Sequence, residues 1–199
     1  MRKYNKQLLL NEEAMNNIHK AKDMLSAVSN RRFSSSEIIN EIIGKYVRFN
    51  ALENDIKSYI THFSDALSKD KSVYGVLLFG SVARGVFGKY SDIDVLVVVK
   101  SDKMKSFDTA NDVKMGLEPE REGFTKRGYH LRISTTILEI GDLELFRPIF
   151  LDFLEYGIIM YEKNATLTDF MNKLRRIKYQ RNFDRNGEIL RWKIPQVER

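Results

Sequence analysis

VYGVLLFGSVARGVFGKYSDIDVLVVV, residues 73–99, is the stretch on which the fold turns. VYGVLLF (73–79) and IDVLVVV (93–99) are short, branched and nearly continuously apolar. Runs of this kind read as strands covered on both faces. Between them lies GSVARGVFGKYSDID, residues 80–94, in which ten residues separate Ser81 from Asp92. A glycine at a strand end permits a tight turn or a close backbone approach. Asp92 and Asp94 are two apart, so on an extended backbone both project to one face with Cα atoms roughly 6.5–7 Å apart. Ile93 then points the other way, into the core.

Two carboxylates side by side repel each other and raise each other's pKa unless a cation lies between them. Hard oxygen ligands on a rigid strand suit Mg²⁺, which keeps waters and borrows substrate phosphates for the rest of its shell. The segment after Gly80, SVARG, can open a short helix whose free N–H groups form an anion site. Ser81 adds a hydroxyl, and Arg84 and Lys89 add positive charge. The expectation is a metal-bound triphosphate bridging the two halves, with phosphates on the Gly-Ser turn and metal on the aspartates.

Working outward, the flanks read as helices and further strands. Apolar residues recur at Ala14, Ile18, Ala21, Leu25 and Val28, one stripe of a helix running from Glu12 to Val28. Ser34 and Glu37 form a capping box ahead of a second stripe, Ile38, Ile42, Phe49, Leu52, Ile56, Tyr59, Phe63 and Leu67. That stripe predicts one helix to about Ser68, weakened or bent at Gly44. DTANDVKMGL (108–117) predicts a crossover helix and YHLRISTTIL (129–138) a third strand. LELFRPIFLDFLEYG (143–157) predicts a helix or two broken near Pro148, and IIMYEK (158–163) a last strand. Leu167, Phe170, Met171, Leu174 and Ile177 carry a helical pattern into the tail. The reading is an α+β (α/β) chain of short apolar strands and flanking helices. Its domains are a helical extension over 1–70, a core over 71–163 and a basic extension over 164–199.

Gly80-Ser81, ten residues, then Asp92-x-Asp94 between two apolar strands resembles the signature of the DNA polymerase β-type nucleotidyltransferase superfamily. The spacing is similar to that of its minimal, antitoxin-like branch, and FLDFLEYGIIMYEK resembles the closing helix and strand of such domains. The resemblance implies a nucleotidyltransferase fold, a small mixed β-sheet flanked by helices, and transfer of a nucleoside monophosphate from an NTP, with ATP ranked first, to an acceptor hydroxyl. It implies Mg²⁺ (or Mn²⁺) on Asp92 and Asp94 and nucleotide phosphates on Ser81, beside which Gly80, Arg84 and Lys89 complete the phosphate-binding set read from the turn. It also implies acceptors that include a helical, toxin-like partner protein, a small molecule or an RNA end.

Active members of that superfamily usually carry a third carboxylate on a later strand. YHLRISTTIL has none; the nearest acids are Glu120 and Glu122 before it and Glu139 and Asp142 at its far end. His130 is the candidate substitute, as base or metal neighbour, and Arg132 and Ser134 share its face by the period of two. The missing acid keeps open a second reading, a nucleotide-binding module with impaired turnover.

The composition narrows the setting. The chain has 199 residues, 43% hydrophobic and 30% charged, which suits one core with flanking elements. With no cysteine there is neither a disulfide framework nor a thiolate zinc site, which fits a reducing compartment. No apolar run approaches a membrane span and the N-terminus lacks a signal-peptide pattern, so the expectation is a cytoplasmic protein without a membrane partner. The net charge of +6 is concentrated in residues 164–199, where nine Lys or Arg face four acids. A third reading, nucleic-acid binding through LRRIKYQRNFDRNGEILRWK (174–193), rests on that excess. The N-terminal helices are candidates for a homodimer contact, although the same stripes serve packing within one chain.

Overall fold

The structure is a computed structural model describing residues 18–19, 22–23, 32, 34–50, 52–177, 180–183 and 189–193. Of the helix expected from Glu12 to Val28, only 18–19 and 22–23 are described, as helical; the remainder lies outside the described residues. Helix α1 spans Ser35–Asn50 and α2 spans Asn54–Ser68. The Ser34–Glu37 capping box forms: Glu37 N donates to Ser34 Oγ at 3.2 Å and Ser34 N donates to Glu37 Oε2 at 2.8 Å. The single stripe expected from Ile38 to Leu67 is therefore two helices, and the break falls between Asn50 and Asn54 rather than at Gly44.

Strand β1 (Val73–Phe79) leads through the short helix α3 (Gly80–Arg84) to β2 (Ile93–Val99). Helices α4 (Lys103–Gly116) and α5 (Glu118–Lys126) then cross back to β3 (Ile133–Glu139). Asp102 caps α4, its side chain accepting from Lys105 N at 3.0 Å. A 3₁₀ turn, Ile140–Glu144, precedes α6 (Ile149–Tyr156), which begins directly after Pro148, where the sequence predicted a break. Strand β4 (Ile158–Glu162) and helix α7 (Thr166–Leu174) follow, then β5 (Gln180–Phe183) and β6 (Ile189–Lys193) as a separate antiparallel pair. The third strand starts later than YHLRISTTIL predicted, so His130 and Arg132 sit just ahead of it.

The four-stranded sheet has the order β3-β2-β1-β4. β2 and β4 are antiparallel to β1, while β3 is parallel to β2. This topology brings the end of β1 and the starts of β2, β3 and β4 to one edge, the head of the sheet. Both faces of the central strands are covered, which explains why β1 and β2 are apolar at nearly every position. On one face Ile56, Tyr59, Ile60, Phe63 and Leu67 of α2 pack over Val76, Leu78, Val95 and Val97. On the other, Phe150, Phe153 and Leu154 of α6 and Leu167, Phe170 and Met171 of α7 pack over Leu77, Leu96 and Val98. Edge-to-face contacts, Phe79 on Phe153 at 4.7 Å and Phe150 on Phe170 at 4.9 Å, fix α6 to the sheet and to α7. Among the described residues, no helix is long and apolar enough to cross a membrane.

Candidate active site

The site is built at the sheet head, from the strand ends inward. Phe79 is paired with Asp94 across β1 and β2, so Gly80 begins where Asp94 projects. Gly80 has φ +73°, and a Cβ built there would lie 2.1 Å from Asp94 Oδ2. Both facts demand glycine: the left-handed backbone disfavours other residues, and the carboxylate occupies the space of a side chain. The Gly-Ser turn and Asp94 are thus one packed unit rather than two neighbouring motifs. Gly85, at φ +75°, closes α3: its N–H reaches Val82 O, and Val86 N reaches Ser81 O, both at 3.0 Å.

Asp94 lies on the α6 face with Leu96 and Val98 and is half-buried, whereas Asp92, one residue ahead of the strand, is exposed. Burial first, and the charge of Asp92 second, hold the Asp94 carboxyl above its ordinary pKa. Arg84 pulls it back, and Asp152 pushes it up again. Asp152 belongs to α6, and both its oxygens accept from Arg84 Nη1, at 3.1 and 3.3 Å. Its side chain is only 14% exposed, and burial raises its pKa against the pull of Arg84. Arg84 also lies over the Tyr156 ring, 5.9 Å from the centroid.

On the opposite flank, Tyr90, Asp92, His130 and Arg132 line a cleft of about 340 Å³. The Tyr90 and His130 rings stack with centroids 5.0 Å apart and planes 4° from parallel. His130 N donates to Lys89 O at 2.6 Å, and Ile93 N donates to Arg132 O at 2.8 Å, fastening the loop before β2 to the start of β3. Lys89 is exposed in that loop.

A nucleotidyltransferase domain model matches residues 60–163, more than half of the chain. The chain belongs to the nucleotidyltransferase domain family. The match begins inside α2, which packs on the sheet as part of the core. Solved structures similar to this chain include a toxin–antitoxin pair with AMP-PNP, 15% identical, TM-score 0.34, covering 62% of this chain and 79% of that one. Another is a mutant MntA–HpeT toxin–antitoxin, 15% identical, TM-score 0.37, covering 61% and 83%. A candidate nucleotidyltransferase from Sulfolobus solfataricus is 20% identical, with TM-score 0.30, covering 56% and 90%. No curated protein matches the chain.

Within this nucleotidyltransferase domain, Gly80, Ser81, Arg84, Asp92 and Asp94 gather at the ends of β1 and β2, and His130 joins Asp92 in the flanking cleft. Three of the four acids weighed as a third carboxylate are engaged elsewhere. Glu120 meets His62 Nδ1 at 3.0 Å, and Glu139 and Asp142 form a capping box on the 3₁₀ turn at the far end of β3. Glu122 is exposed on α5. Opposite Asp94 on β3 stands Ser134. The acid that does approach is Asp152, which sequence reading passed over. Its signal was present: a lone carboxylate inside the apolar run IFLDFL has to find a partner when the helix is buried.

Among the described residues, no group of three His, Cys, Asp or Glu could hold a metal ion. Two carboxylates at a strand head still fit Mg²⁺, which is commonly held by one or two carboxylates and completed by substrate phosphates and water. Burial first and the charge of Asp92 second raise the Asp94 pKa, and a cation between the two carboxylates would offset their mutual repulsion.

Proposed function

We propose that this chain transfers a nucleoside monophosphate from an NTP to an acceptor hydroxyl and releases pyrophosphate. The observation that carries the reading is the fit of Asp94 into the space a side chain at Gly80 would fill, which couples the phosphate-facing turn to the paired carboxylates. In this reading Gly80 and Ser81 seat the β- and γ-phosphates, and Arg84, held by Asp152, supplies positive charge beside them. Asp92 and Asp94 would hold Mg²⁺ or Mn²⁺, which would neutralise phosphate charge and, as a Lewis acid, polarise the reacting phosphoryl group. The acceptor oxygen bonds to the α-phosphorus as the bond to the β-phosphate oxygen breaks, and His130, beside Asp92, takes the hydroxyl proton. ATP is the first nucleotide to test. On the motif resemblance, a hydroxyl on a partner protein is the first acceptor to test.

A second reading is favoured by one observation: β3 offers Ser134 beside Asp94, and Arg132 ahead of it, where an acid would complete the metal shell. In that case the domain binds nucleotide without turning it over. Calorimetry with Mg²⁺–ATP, run beside pyrophosphate release with protein and RNA acceptors, separates the two. Binding with release supports transfer. Binding without release from any acceptor supports the module, and no binding contradicts both.

A further inference from the structure

We propose that the parallel Tyr90–His130 ring pair is a stacking shelf for the nucleobase of the bound nucleoside triphosphate. The inference rests on the nucleotidyltransferase reading and extends it to residues that neither the Gly-Ser turn nor the paired aspartates include. Across the sheet head Gly80 and Ser81 follow β1, Tyr90 and Asp92 lead into β2 with Asp94 at its start, and His130 and Arg132 lead into β3. With phosphates on the turn and the reacting phosphorus at the aspartates, the nucleoside extends toward β3. One to two strand spacings, about 5–10 Å, separate the phosphate seat from the cleft.

The cleft has the chemistry of a ring site. Tyr90 is 80% exposed, so one of its faces is left open while the other lies on His130. Parallel rings 4° apart present a flat π surface, onto which a third planar ring adds as another layer. The shelf is set before the ligand arrives. Tyr90 sits in a turn in which Gly88 N donates to Ser91 Oγ at 2.9 Å and Ser91 N to Gly88 O at 3.1 Å. The Lys89–His130 backbone bond ties that turn to the start of β3. A preorganised surface loses little freedom on binding. Arg132, with donors only, faces the same 340 Å³ space and suits the acceptor atoms of a base edge. Stacking accepts every base because every base has a π face.

The test compares binding of Mg²⁺–ATP with binding of Mg²⁺–tripolyphosphate, which lacks the ring, to the full chain by calorimetry without acceptor. Wild type binds ATP more tightly. Tyr90→Ala weakens ATP between about 5-fold and 100-fold and leaves tripolyphosphate unchanged, while Tyr90→Phe retains wild-type affinity for both. The unchanged tripolyphosphate affinity also reports that the variant is folded. The shelf is overturned, with the nucleotidyltransferase reading intact, if wild type binds both ligands equally or if Tyr90→Ala weakens neither or both alike. A Tyr90→Phe variant as weak as Tyr90→Ala overturns it too, because the hydroxyl rather than the ring would be the contact. If wild type binds neither ligand, the nucleotidyltransferase reading itself fails.

Discussion

At the scale of single residues, the site is governed by how closely Gly80 approaches Asp94. Gly80→Ala adds a Cβ where Asp94 Oδ2 now lies and strains the left-handed backbone, so the carboxylate must move. A displacement on the order of 1 Å at a reacting centre costs about 100-fold, and steady-state assays of Gly80→Ala are expected to show at least that loss of kcat/KM. Asp94 makes a second prediction. Its folded pKa is raised, so its contribution to stability is greatest below the unfolded aspartate pKa and is lost as pH rises through the folded value. Without metal, Asp94→Asn is therefore expected to melt higher than wild type at pH 7. Each kcal/mol gained is worth about 2–4 °C in a chain of this size. The gap should narrow as pH falls toward 4, and thermal melts at the two pH values check it. The motif residues were legible in the sequence because turn chemistry and the two-residue period are local. The contact that makes Gly80 indispensable was not, since it joins two strands.

At the scale of elements, α6 does more than cover the sheet. It carries Asp152 to Arg84, 68 positions away in the chain. Asp152→Asn keeps the shape and removes the charge that holds the guanidinium. The pair is partly solvated at Arg84, 38% exposed, so a modest effect is expected, about a 5- to 10-fold rise in KM for the NTP with kcat less affected. The same substitution removes a charge that raises the Asp94 pKa, so the acid limb of the pH–rate profile should move to lower pH. An unchanged KM and pH profile would make Asp152 a packing residue only. Most elements could be read from apolar periodicity and from Pro148. The helix break between Asn50 and Asn54 could not, because the stripe runs through it and no proline or glycine marks the point. The start of β3 was read too early because Tyr129 to Arg132 alternates like a strand while pairing only through isolated backbone bonds.

At the scale of the whole molecule, the two central strands β1 and β2 are sealed on both faces. Phe150 is fully buried between Phe153, Phe146 and Phe170. Phe150→Ala is expected to cost about 3–5 kcal/mol in a denaturant titration. The two-sided burial of β1 and β2 was legible from their unbroken apolar runs, whereas the mixed sheet between helical layers was expected from the motif resemblance. The packing of α2 into that core was less so, since an amphipathic stripe looks the same whether its partner is the sheet or another chain. The central claim is that Asp92 and Asp94 serve nucleotidyl transfer. Its most direct test follows label from α-³²P-ATP into protein or RNA acceptors with Mg²⁺, for wild type and for Asp92→Asn combined with Asp94→Asn. The account predicts incorporation by wild type and a fall to background in the double variant; equal incorporation by the two would contradict it.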